Sequence, residues 1–248
     1  MDSSAQGNLS GGEPSENVGN KSIYQRNGGS PPESIWILGA GQFGYIAAQR
    51  LAGRYPKADL LVVDQRRQRL RKLQETVEVP VHQEDAIAFI RHHPLTDNQW
   101  IVPAVPLHVA WHWLKGMLGE AGTVRALEVP AEVDAQVPNP YRVPTGTLYA
   151  SFATFRCPDA CSEPEELCTH TRAPRLGNLF ERLEAIRVQE CHIEVVRSWQ
   201  LAPGVGGYQG SRLKKAATHI QEDPGRWIVA TSCRCHAVID ALSFQRSQ

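Results

Sequence analysis

The chain has 248 residues, 26 basic and 26 acidic side chains, and 42% hydrophobic residues. That length can bury a sizeable core, and the balanced charge leaves no electrostatic footprint for nucleic acid, which is excluded as a partner. The most apolar stretch, Trp100 to Leu118, contains Pro103, Pro106, His108, His112 and Lys115, a poor membrane span; with no secretion signal at the start, a cytoplasmic protein that is not membrane-embedded is expected.

Residues 1–33 are rich in Gly, Ser, Asn and Glu and read as a disordered leader. From Ser34 the pattern changes. Ser34 to Leu38 is a short apolar run, Gly39-Ala40-Gly41-Gln42-Phe43-Gly44 follows at once, and Tyr45 to Leu51 has helical spacing. A second apolar run, Leu60 to Val63, ends in Asp64. Strand, glycine turn, helix, strand and acid in this order predict a dinucleotide site. Gly39 permits the tight turn, Gly41 lets a pyrophosphate approach the backbone, and Gly44 allows the helix to pack on the sheet. Gln42 and Phe43 lie where free N–H groups of the helix start meet phosphate. Asp64 is placed to accept hydrogen bonds from ribose hydroxyls, which favours NAD(H) over NADP(H); Arg66 and Arg67 weaken that preference. The alternative is a merely structural glycine turn.

Arg66 to Thr76 predicts an exposed basic helix with Leu70 and Leu73 inward, and Val77 to Val81 a third strand in which Pro80 is awkward. Asp85 precedes a helix over Ala86 to Arg91 and either caps it or faces the adenine edge. A fourth strand covers Gln99 to Ala104, and a helix runs from the Pro106-Leu107-His108 turn to about Leu118. His108 would border the nicotinamide side of the crevice, as a cofactor contact, an acid/base group or a structural hydrogen-bonder. Thr123 to Val129 reads as a fifth strand, and the Rossmann domain spans residues 34–135.

Residues 34–130 resemble the TrkA-N (RCK) nucleotide-binding domains of potassium-transport regulators. The resemblance rests on Gly39, Gly41, Gly44, Asp64 and Asp85, which match that family's glycine turn, second-strand acid and third-strand acid. It implies NAD(H) binding and a regulatory role. The domain that usually follows in such regulators is not recognisable in this sequence.

Residues 136–248 read as a smaller α/β domain with a cysteine-rich loop, so the fold class is α/β: a Rossmann-like parallel sheet followed by this second domain. A strand over Thr147 to Thr154 leads into Cys157, Cys161 and Cys168, three thiols in a proline-broken loop. A strand over Arg226 to Thr231 ends at Cys233-Arg234-Cys235-His236. Together they suggest a site for an iron–sulfur cluster or zinc, completed by Cys233, Cys235 or the His236 nitrogen; redox-active or inert buried thiols are the alternatives. Cys191 is expected to be structural. A strand over His192 to Leu201 enters a second glycine turn, Pro203 to Gly210, which either cradles an anion near Arg212, Lys214 or Lys215 or packs tightly under the metal site. The expected function is a nucleotide- or redox-responsive NAD(H)-binding regulator, with an NAD-dependent oxidoreductase as the alternative. A homodimer is compatible with either.

Overall fold

The computed structural model describes residues 31–247; the leader expected over residues 1–33 lies almost entirely outside them. The class is mixed α/β, with two six-stranded mixed sheets. The first begins with β1 (Ser34–Leu38), whose Ile35, Ile37 and Leu38 are fully buried. The turn after it opens α1 (Gln42–Arg54), which buries Ala47, Ala48 and Leu51 and returns the chain to β2 (Asp59–Val63). Helix α2 (Arg67–Gln74) presents only Leu70 and Leu73 inward, as its spacing demands. β3 follows, but as only Val81–His82. Pro80 cannot donate to a ladder, so the expected strand over 77–81 shrinks to its end while Val77 and Val79 are buried as coil. Helix α3 (Ala86–His92), β4 (Gln99–Pro103) and α4 (Val109–Ala121) complete the first half.

β3, β2, β1 and β4 run parallel in that order. The sheet then continues with strands from much later in the chain: β10 (Val205–Gln209) lies antiparallel against β4, and β9 (Trp199–Ala202) against β10. In return β5 (Gly122–Leu127) leaves the first sheet and pairs with β12 (His236–Arg246). The boundary expected at residue 135 is therefore crossed in both directions.

The second sheet has the order β6 (Tyr141–Arg142), β7 (Leu148–Ser151), β12, β11 (Gly225–Ser232) and β8 (Cys191–Arg197), with β5 also on β12. The single strand expected over 192–201 is two strands, broken at Ser198, one in each sheet. Helix α6 (Gly210–Glu222) packs against β4 and β10 on one side and β8 and β12 on the other. One continuous apolar core thus joins both sheets, from Leu38 and Ile101 to Val229 and Phe244. The far face of the second sheet is covered by α5 (Leu179–Glu184) and a 3-10 turn over Ala131–Gln136, burying Leu179, Leu183 and Val133. No helix among the described residues is long and apolar enough to cross a membrane.

Candidate functional site

The glycine turn lies at the carboxyl end of β1. Gly39 has φ of +113°, and a Cβ there would stand 2.6 Å from the Ala104 carbonyl oxygen, so only glycine fits. A Cβ on Gly44 would stand 1.8 Å from the Gly39 carbonyl oxygen. Gly41 differs: a Cβ there meets only the Arg69 Nη1, at 3.7 Å. The fold therefore requires glycine at 39 and 44, whereas the space over Gly41 is left open. Gly41 also caps α1 without a side-chain acceptor, so the first-turn N–H groups of Gln42 and Phe43 gain no side-chain partner from the cap.

Asp64 is 6% exposed, and both its oxygens work locally. Oδ2 accepts the Ala40 N–H at 2.8 Å and Oδ1 the Arg66 N–H at 2.7 Å. The carboxylate thus fixes the shape of the glycine turn. It also lines a cavity of about 330 Å³ shared with Val63, Arg66, Arg69, Asp85 and Leu107. Arg69 Nη1 is 3.7 Å from Asp64 Oδ2, which sets a cation beside the open face of Gly41. Periodicity did not single out Arg69; its signal was the third position in a basic run one turn beyond Arg66.

Two of the expected residues take the structural one of the roles open to them. Asp85 caps α3, its Oδ1 accepting the N–H groups of Ile87 and Ala88 at 2.9 and 3.0 Å. His108 is 4% exposed, its Nδ1 2.8 Å from Asp240 Oδ2 and its Nε2 2.9 Å from Thr231 Oγ1. Both ring nitrogens are paired with side chains of the second sheet, the structural hydrogen-bonding role among the three expected for His108. It is a core histidine that ties α4 to β11 and β12.

The cysteines come together. Cys157, Cys161, Cys168, Cys233, Cys235 and His236 all line one cavity of about 690 Å³, and Cys191 does not. All six thiols are free. The loop bearing the first three is tied down on several sides. The Glu163 carboxylate accepts the Arg234 N–H at 2.7 Å, and the Arg234 guanidinium reaches Asn178 and Glu165. From the first sheet, Gly204 donates its N–H to the Cys161 carbonyl at 2.8 Å. Gly204 has φ of +68°, and a Cβ there would stand 1.9 Å from the Asp159 oxygen. The second glycine turn is therefore the tight packing turn of the two alternatives. Gly207 and Tyr208 are in β10, Arg212 pairs with Glu194, and Lys214 pairs with Asp97. Arg50 on α1 donates to the Asp159 carbonyl at 2.6 Å and to the Pro203 carbonyl.

Burial pushes the Cys157 thiol up, and so do the charges of Cys161, Cys235 and Cys168. These four sulfurs are thus electrostatic neighbours. Cys233 is pushed up by burial and next by Glu163, and its sulfur accepts the Cys235 N–H at 3.5 Å within the turn. The Cys168 thiol is held down by hydrogen bonding to Thr171. Burial lowers His236, whose Nε2 is 3.7 Å from Cys157 Sγ. Arg175 adds a cation: its charge acts on Cys157, Cys168 and Cys235, while its Nε and Nη2 are buried without a hydrogen-bond partner. Arg175 and Arg234 were not singled out in the sequence, although an arginine between two cysteines was the visible signal for the latter.

The family model AF_1314_C, described as "Uncharacterized protein, C-terminal domain", matches residues 110–245. An uncharacterized protein of Archaeoglobus fulgidus is 25% identical over 222 residues, covering 83% of this chain and 97% of its own. No solved structure matches. No TrkA-N family matches, and the matched region is chiefly the half that the resemblance to potassium-transport regulators left unassigned. That resemblance is overturned. Its motifs, a glycine turn and an acid after the next strand, belong to many parallel α/β units, and the sheet here is completed by strands no such motif encodes.

Proposed function

We propose, for a chain that belongs to the AF_1314_C family, an NAD(H)-binding protein of Rossmann-like build that holds a four-thiolate iron–sulfur cluster and responds to nucleotide or redox state. One observation carries this reading: α1 serves both places. Its first turn opens on the glycine turn, while Phe43 and Ile46 line the thiol cavity and Arg50 clamps the cysteine loop. A dinucleotide at one end of this helix and a cluster beside it would share a rigid element.

The cluster ligands in this reading are Cys157, Cys161, Cys168 and Cys235, with Cys233 shaping the turn that presents Cys235. Zinc is the poorer fit. Four thiolates suit an iron–sulfur cluster as well as zinc, and the proline-broken loop bearing three of them favours the cluster. When bound, such a cluster supplies a one-electron centre. Arg175 offsets the negative charge of four thiolates, and N–H groups directed at sulfur, such as Glu163 to Cys161 at 3.4 Å, stabilise the thiolate form. At the other end, Asp64 meets the ribose, the first turn of α1 and Arg69 meet the phosphates, and the roughly 330 Å³ cavity takes the adenosine half.

Calorimetric titration with NADH tests the nucleotide part. Because Gly41 has extended backbone and open space for a Cβ, Gly41→Val should keep the wild-type melting temperature and lose at least tenfold in affinity. Equal affinity in a folded Gly41→Val protein would end the nucleotide reading. A second reading, an NAD-dependent oxidoreductase, is favoured by the thiol cavity itself. At about 690 Å³, with Phe152, Phe155 and Trp199 in its wall, it lies in the size class of small-molecule sites.

A further inference from the structure

A second group of metal-binding side chains lies at the opposite edge of the first sheet. β3 is the edge strand, and β9, which borders the thiol cavity, is at the other end. His82 on β3, Glu84 in the connection after it and His93 at the end of α3 each offer a ligand atom, all within 4.8 Å of one another. His82 Nε2 is 3.0 Å from Glu84 Oε2, His93 Nδ1 is 3.9 Å from the same oxygen, and His92 Nδ1 is 3.2 Å from Oε1. One carboxylate thus gathers three imidazoles.

The rings are also held in place. Phe89, 1% exposed, stacks on His93 with centroids 4.0 Å apart and packs against His82 at 5.3 Å. His93 Nδ1 lies 3.0 Å from the Phe89 carbonyl oxygen, and the two imidazoles meet edge to face at 5.5 Å. Rings oriented by packing lose little freedom on ligation.

We propose that His82, Glu84 and His93 form a binding site for a borderline divalent cation, zinc fitting best, with His92 beside it. Two imidazoles and a carboxylate suit zinc and leave a fourth position for water, whereas calcium and magnesium demand oxygen ligands. Ligands at 2.0–2.2 Å from a tetrahedral ion stand about 3.3–3.6 Å apart, so the group closes only slightly. Such an ion would clip the short edge strand β3 to the end of α3. The inference is independent of the thiol site and of the nucleotide reading.

Equilibrium dialysis of the full chain against zinc, with zinc-edge X-ray absorption on the bound metal, tests it. The expected result is one zinc equivalent with a first shell of nitrogen and oxygen only. His82→Gln with His93→Gln should remove that equivalent, and the isosteric Glu84→Gln should weaken it at least tenfold, with circular dichroism matching wild type. Zinc bound only through sulfur, or nitrogen–oxygen zinc that persists in the folded double variant, would overturn it.

Discussion

Three glycines in one turn carry unequal burdens. Gly39 and Gly44 are dictated by backbone atoms already in the fold, the Ala104 and Gly39 carbonyls, whereas nothing in the protein needs a bare Gly41. That contrast gives the nucleotide reading its sharpest residue-scale support. His108 makes the opposite case: motif position placed it in the crevice, but burial and two side-chain partners put it in the core. Removing one partner of such a buried set costs about 3 kcal/mol. In a chain of this size His108→Ala should therefore lower the melting temperature by roughly 6–12 °C while leaving NADH affinity unchanged. Lost affinity in the folded variant would return His108 to the crevice. From sequence alone an imidazole after a strand cannot be assigned to core or cleft, because its partners, Thr231 and Asp240, lie more than 120 residues away.

At the scale of elements, α1 and the β9–β10 hairpin hold the cysteine loop from the side of the first sheet. Arg50 bridges the Asp159 and Pro203 carbonyls, and Gly204 admits the loop at a distance no Cβ tolerates. Arg50→Ala should speed metal loss to a chelator several-fold without altering metal content at purification. An unchanged release rate would detach α1 from the thiol site. The strands and helices of residues 34–121 were legible because each is one period of apolar spacing bounded by turns; only β3 was overdrawn, at Pro80. The cysteine cluster was legible from spacing and from a strand end aimed at it. Which of Cys233, Cys235 and His236 would complete a site was not, since all three line the same cavity.

At the scale of the molecule, the two sheets exchange strands. β5 is the last strand before the expected boundary, yet it belongs to the second sheet; β9 and β10 come late and close the first. Pairing between distant segments leaves no local periodic signal, which is why a two-domain division followed naturally from the sequence and does not describe the sheets. β12, the 11-residue strand that joins β5, β7 and β11, escaped notice because its apolar positions form a nearly continuous run. A fragment of residues 31–135 lacks the Tyr208 partner of Ile101 and the α6 face of the shared core. It should show no cooperative thermal transition, in contrast to the full chain. A sharp two-state melt of that fragment would restore the independent first domain.

The central claim is that Cys157, Cys161, Cys168 and Cys235 hold one cluster beside the helix of the glycine turn. Iron and acid-labile sulfide analysis of anaerobically purified protein tests it most directly, on wild type and on Cys161→Ser, Cys235→Ser and Cys233→Ser variants. The account predicts iron and sulfide in equal amounts in wild type, lost in Cys161→Ser and Cys235→Ser and retained in Cys233→Ser. Zinc in place of iron, or a metal content indifferent to Cys161 and Cys235, would contradict it.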